Sequence, residues 1–297
     1  MLGLPNNRDD EVDDEVTVRE VLVDLADRVR GRLAPEPAGP ASPGQPGGGG
    51  AAVADLVADD RLFPALTRVA GPRFGSDDAA LVGAQLVREW VATVTAAAVT
   101  TWGRQRRLFD WSPHNVVVRA DGTVALRRPR LLVAADDPLA AAPGVTVAPE
   151  HALLHTLLDG VLGTDPGSGP VAAIVAAARR AVRSGDRHYW GTAALTVANT
   201  LTAVSHEVGP RADRDRELIL ARRPDLARTV EVLTVDDGRG GTVSCARRLT
   251  CCLLVKLPGE VQCGTCNLRD PDRCRAALAA WARAERARHR AAAACAS

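Results

Sequence analysis

The chain has 297 residues, and its 37 basic and 36 acidic side chains leave a formal net charge of +1. With 46% apolar and 25% charged residues it reads as a globular chain, long enough for one large domain or two modest ones. The near-neutral balance and the lack of basic–aromatic interleaving give no reason to expect nucleic acid as a partner, and 3% aromatic content leaves Val, Leu and Ala to build the core.

Met1 to Val16 has no apolar run of the kind a secretory signal requires. Six of the seven residues from Asp9 to Glu15 are acidic, which predicts a solvated start. Residues 17–32 place Val18, Val21, Leu22, Leu25 and Val29 on one side of a short predicted helix. Residues 34–50 then hold five Pro and six Gly and predict a flexible linker. The expected organisation is an appendage over 1–50, a mainly helical body over 51–240 and a cysteine-bearing segment with a terminal helix over 241–297. The longest apolar stretches, such as Val91 to Val99, are too short to span a bilayer. A cytoplasmic protein without a transmembrane segment is the expectation.

Within the body, Ser76-Asp77-Asp78 predicts the cap of a helix with Val82, Leu86, Trp90 and Val94 along its spine. Val116 to Val118 and Val124 to Leu126, separated by Ala120-Asp121-Gly122, predict a hairpin. Helices are expected over 150–159, 171–183 and 188–206, the last with Trp190, Ala194, Val197, Leu201 and Val204 on one stripe. His151 and His155 share one helix face at i, i+4, but the glutamate of a metalloprotease HExxH is missing, so an ordinary partly exposed face is the better reading. A second hairpin is expected from 230–235 and 241–245. The fold class is therefore α+β, predominantly helical with small antiparallel hairpins. No phosphate loop, GxGxxG or GxSxG motif is present, so no Rossmann fingerprint for a nicotinamide cofactor is available.

The chemistry concentrates near the C-terminus. Cys251 and Cys252 are adjacent, ten residues follow, and Cys263-Gly264-Thr265-Cys266 forms a CxxC. Structural zinc sites use two spaced pairs. Adjacent residues in extended chain point to opposite sides, which suits a wider object, such as a cluster of two metal atoms held by four thiolates. The spacing alone leaves open a four-thiolate zinc site, redox-active disulfides and unligated thiols. A disulfide framework of the secreted kind does not suit a 297-residue chain with seven cysteines. Cys245, Cys274 and Cys295 are assigned no ligand role; Cys274 falls with Leu278 and Trp281 on the apolar face of a predicted helix. That helix is expected to start at Asp270-Pro271, by a capping Asp and a first-turn Pro, with its N-terminal dipole facing the centre. Six basic residues (Arg247, Arg248, Lys256, Arg269, Arg273, Arg275) against three acidic ones between 245 and 275 suit an anionic site, although a solvated basic face is the commoner meaning of such arginines.

The pattern C-C-x10-C-x2-C, with Arg247-Arg248 before it, Leu253 after the pair, Pro258-Gly259 in the spacer and Gly264 inside the CxxC, resembles the C-terminus of ferric-siderophore reductases of the ferric-hydroxamate (FhuF) type. The close likeness covers residues 247–270. Looser likeness extends to the helix near 79–99, the hairpin near 114–126 and the Trp-Gly helix near 190. Leu254-Val255 stands where the family often has aromatics. The resemblance implies a [2Fe-2S] cluster on Cys251, Cys252, Cys263 and Cys266 and one-electron reduction of a ferric, hydroxamate-type siderophore. With no flavin or nicotinamide motif in the chain, an external donor such as a ferredoxin or a flavin reductase is expected. Arg106 and Arg107, in the basic stretch from Arg104, and Arg128 and Arg130 are the expected contacts for the chelate. A zinc-stabilised interaction protein, and an Fe–S sensor or electron shuttle without a chelate substrate, are the competing classes.

Overall fold

The structure is a computed structural model that describes residues 33–35, 50–182, 185–237, 240–260 and 262–296. The predicted helix over 17–32 and most of the Pro/Gly-rich stretch lie outside the described residues.

A 27-residue helix, α3 (Ala79–Gln105), runs through the core. It starts where the sequence places it: the Asp78 carboxylate accepts from the amides of Ala80 and Leu81 at 2.9 and 3.1 Å, satisfying two of the amides that a helix start leaves unpaired. The spine residues Val82, Leu86, Trp90 and Val94 are all buried. Around α3 pack α2 (Leu62–Phe74), α5 (Pro170–Val182) and α6 (Arg187–Val208), and α1 (Val53–Ala58) packs on α5. Phe63 meets Trp90 edge to face, with ring centroids 6.1 Å apart.

Two small sheets flank the helices. In one, β4 (Val116–Val118) and β5 (Val124–Leu126) form the expected antiparallel hairpin, and β2 (Ala51–Ala52) adds to β4. Its turn holds Gly122 at φ 87°, against the Glu89 carboxylate of α3, where a Cβ would collide. The strand β1 (Leu33–Pro35) pairs with β5 in parallel. Residues from the expected N-terminal appendage thus join the sheet of the body. The other sheet orders β3 (Leu108–Phe109), β6 (Leu131–Val133) and β7 (Val145–Val147), and its β6–β7 pair is also parallel. The α+β class with small antiparallel hairpins is as expected, and two parallel pairs, β1–β5 and β6–β7, add to it without a local turn signal.

The helix expected over 150–159 is α4 (Glu150–His155), continuing as a π-turn from Thr156 to Leu162 and ending at Gly163 with φ 66°. His151 and His155 are exposed on it, and His155 faces Asp159 at 3.6 Å. After α6 come α7 (Arg211–Arg222) and α8 (Pro224–Ala227).

The C-terminal part is a two-stranded antiparallel ribbon, β8 (Val230–Asp236) and β9 (Thr242–Arg248), followed by the cysteine loop and α9 (Pro271–Ala296). The edge of β9 docks on α6 through side chains that substitute for a neighbouring strand. Asn199 accepts from the Ala246 amide at 2.9 Å and donates to its carbonyl at 3.4 Å, and the Thr202 hydroxyl donates to the Ser244 carbonyl. A small separate core of Leu233, Val235, Cys245, Leu278 and Ala282 joins the ribbon to α9. No helix among the described residues is long and apolar enough to cross a membrane.

Candidate metal centre

The cysteine loop leaves β9 at a tight crossing with α6. The Thr250 side chain lies against the Cα of Gly191, where a Cβ would collide with its hydroxyl. This close approach accounts for the Trp-Gly pair noted in the sequence, and it seats Cys251 and Cys252 beside the body. Leu253 then takes a left-handed conformation, φ 62°, at a cost of roughly 1–2 kcal/mol for a non-glycine residue. The reversal turns amides back onto the sulfurs. The Leu253 amide donates to Cys251 Sγ at 3.4 Å, and the Leu254 amide donates to the Cys252 sulfur. A short 3-10 turn, Leu254–Lys256, and a turn at Gly259, φ 74°, carry the chain towards the CxxC.

The CxxC is pinned on three sides. The Cys266 amide donates to the Cys263 carbonyl at 3.1 Å, closing the turn. The Arg248 amide donates to the Thr265 carbonyl at 3.3 Å, joining the end of β9 to the CxxC. The Cys274 thiol, fully buried one turn into α9, donates to the Cys266 carbonyl at 3.3 Å. Asp270 caps α9 as expected, accepting from the amides of Asp272 and Arg273 at 3.0 and 3.2 Å. The helix also holds the CxxC directly, through Cys274.

The two cysteine pairs meet. The Cys263 thiol donates to the Cys252 sulfur. That bond, with the Leu254 amide and the charges of Arg248 and Arg88, outweighs burial and holds Cys252 down to about 5. The same bond and burial push Cys263 strongly up, and the nearby Cys266 adds to the shift. Cys252 and Cys266 are buried, at 8% and 5% exposure, whereas Cys251 and Cys263 are half-buried and form the open edge. Leu249 and Leu268, at 43% and 57% exposure, stand beside that edge. By contrast Cys245, in the small core, is pushed up to about 11 by burial. Cys245, Cys251, Cys252, Cys263, Cys266 and Cys274 are all free thiols.

Arg248 is 3% exposed. Its Nη2 donates to the His188 carbonyl at 2.7 Å and to the Thr192 hydroxyl at 2.6 Å. Cys252, Cys263 and Cys251 all lie within electrostatic reach of its guanidinium. Gln85 of α3 donates to the Cys252 carbonyl at 2.9 Å and accepts from Arg88 at 2.8 Å. Gln85 and Arg88 lie more than 160 residues upstream and carry no signal in the sequence beyond their helical register. The ring of His188 lies tilted by 49° against that of Tyr189, with ring centroids 3.8 Å apart. Burial, then the charge of Arg248, depress its pKa to about 4, so it is neutral at ordinary pH.

Four further arginines are held by partners of their own. Arg247 pairs with Glu231, and Arg269 donates to the Gln262 carbonyl at 2.6 Å. Arg106 is bidentate to Asp215 at 2.8 and 2.9 Å, pairs with Glu150 and lies over the Trp102 ring. Arg107 is bidentate to Asp137 at 2.7 and 3.0 Å. Arg106 ends α3, 18 residues beyond Arg88, which is about 27 Å along a helix. Both Arg106 and Arg107 are held by carboxylates at the end of α3 away from Arg88. Arg128 and Arg130 are exposed, and their main chains bond to Asn115 and Asp110. The structure brings neither to the cysteine loop. A cavity of about 100 Å³ elsewhere, lined by Leu56, Asp60, Phe63, Ala177, Arg180 and Ala181, contains no candidate ligand.

The donor set is soft sulfur, with amide donors and a buried cation directed at it, which suits a group bound by thiolates. Among the described residues no three His, Cys, Asp or Glu side chains converge closely enough to grip one ion. In comparisons with known proteins, no family model and no curated protein matches the chain.

Proposed function

We propose that the protein reduces a ferric, hydroxamate-type siderophore by one electron through a [2Fe-2S] cluster on Cys251, Cys252, Cys263 and Cys266. Fe(II) would be released for iron assimilation in the cytoplasm. The observation that carries this reading is the meeting of the two cysteine pairs, through Cys252 and Cys263, beside the buried cation Arg248. When bound, the cluster supplies a one-electron carrier. The chain's own residues supply its setting: amides of Leu253 and Leu254 aimed at sulfur, Gln85 holding the loop to α3, and Cys274 holding the CxxC to α9.

Hydroxamate oxygens are hard ligands and hold Fe(III) far better than Fe(II). One electron from an external donor, a ferredoxin or a flavin reductase, therefore weakens the iron–oxygen bonds without breaking a covalent bond of the siderophore. The half-buried edge at Cys251 and Cys263 is where donor and chelate would approach. The chelate would then meet the Cys263 side in preference to the buried Cys266.

Anaerobic purification with an optical spectrum and assays of iron and acid-labile sulfide tests the reading. A red-brown protein with about two irons and two sulfides, bleached by dithionite, and oxidised again by a ferric hydroxamate, is the expected result. A colourless protein with one zinc would replace it with a zinc-stabilised interaction module.

A further inference from the structure

Arg248 differs from the other deeply buried arginines of the chain. Arg216 pairs with Asp213 and Arg223 with Asp225. Among the described residues no carboxylate pairs with Arg248. Its Nη2 is met by neutral oxygens, the His188 carbonyl and the Thr192 hydroxyl, and its Nε has no partner. Burying a cation without an anion is costly. The groups that face this one are the thiols of Cys252, Cys263 and Cys251, with Arg88 adding a second positive charge from α3. The protein thus buries a charge that no described carboxylate pairs with, facing the cysteine loop.

We infer that Arg248, supported by Arg88, is the fixed counter-charge of the four-cysteine centre and makes its more negative, reduced state easier to reach. The inference rests on the function proposed above and deepens it. A cluster with four thiolates gains one negative charge on reduction. A cation held in a low-dielectric position interacts more strongly with the reduced state than with the oxidised one. Arg248 touches neither chelate nor donor; it acts through its field, as a positioning residue. Its hydrogen bonds to α6 and the Arg248–Thr265 backbone bond keep that charge at a constant distance from the loop.

The test uses the whole protein loaded anaerobically, with iron, sulfide, optical spectrum and midpoint potential measured together. Arg248→Met removes the charge and keeps the length, Arg248→Lys keeps the charge, and Arg88→Met removes the second cation without touching His188 or Thr192. At a fixed solution potential, Arg248→Met is expected to lower the ratio of reduced to oxidised protein about tenfold, equivalent to about 59 mV for one electron. Arg88→Met should lower it less, and Arg248→Lys should stay near the unmodified protein. If Arg248→Met does not fold, Arg88→Met decides the question by itself. Variants that bind the cluster with unchanged potential overturn the inference and leave the proposed function standing. An unmodified protein without iron and sulfide overturns both.

Discussion

The helical body and the cysteine lobe are held together by different means. The body buries one continuous core around α3, including Trp90, Trp102 and Trp111. The lobe, from β8 to α9, has a core of five buried residues, two of them Leu and one a cysteine. It is otherwise joined to the body by Val230, Ala246 and Leu253, which pack into the large core, and by hydrogen bonds to α6 and α3. Apolar burial contributes about 25 cal/mol per Å², so the body has a large reserve of stability and the lobe a small one. The lobe's order therefore depends on whatever joins its thiols and on its docking to the body, and the body does not depend on the lobe to the same degree.

The sharpest way to break this contrast is to remove a thiol. Under the proposed function, Cys252→Ser is expected to abolish binding of the cluster's two irons while far-UV circular dichroism retains the helical signal of the body. Loss of that signal would mean that the two regions are one cooperative unit. A large deletion in the body tests the opposite side. Trp90→Ala should cost about 3–5 kcal/mol, and both regions should melt together in a denaturant titration, because α3 also presents Gln85 and Arg88 to the loop.

Smaller effects probe the seam between them. Asn199→Ala removes the partner of both backbone groups of Ala246, at a cost of about 1–3 kcal/mol, and hydrogen exchange should quicken along β9 before it quickens in α3. The least effect is expected from His188. Its folded pKa of about 4 lies below the ordinary 6.5, so the unfolded chain binds the extra proton first as pH falls. The stability this group contributes is present above pH 6.5 and is lost as pH falls towards 4. His188→Gln should flatten that part of the stability profile, and an unaltered slope in thermal melts across the window would assign the acid sensitivity to other groups.

Much of the local structure was legible in the residues. The stripe from Val82 to Val94, the cap at Asp78, the hairpin around Asp121-Gly122 and the cap at Asp270 each rest on interactions within a few positions, where spacing alone dictates the geometry. The parallel partners of β1 and β7 and the π-turn after His155 were not legible, since no turn or cap signal in the residues announces them. The same division runs through the candidate site. The basic cluster read from 245 to 275 treats six residues alike, and only Arg248 of the six is buried against the thiols.

The sequence by itself determined that four thiols lie in a C-C-x10-C-x2-C arrangement between a ribbon and a capped helix. Thiol spacing and helix caps are properties of neighbouring residues. Only the tertiary structure decided which charges those thiols meet. Arg88 arrives from a helix more than 160 residues away, and Gly191 opens the space for Thr250. Arg106 and Arg107 are tied to Asp215 and Asp137 at the other end of α3. The physical reason is that a charge acts on a site through distance and burial, and both are set by how the elements pack rather than by their order in the chain.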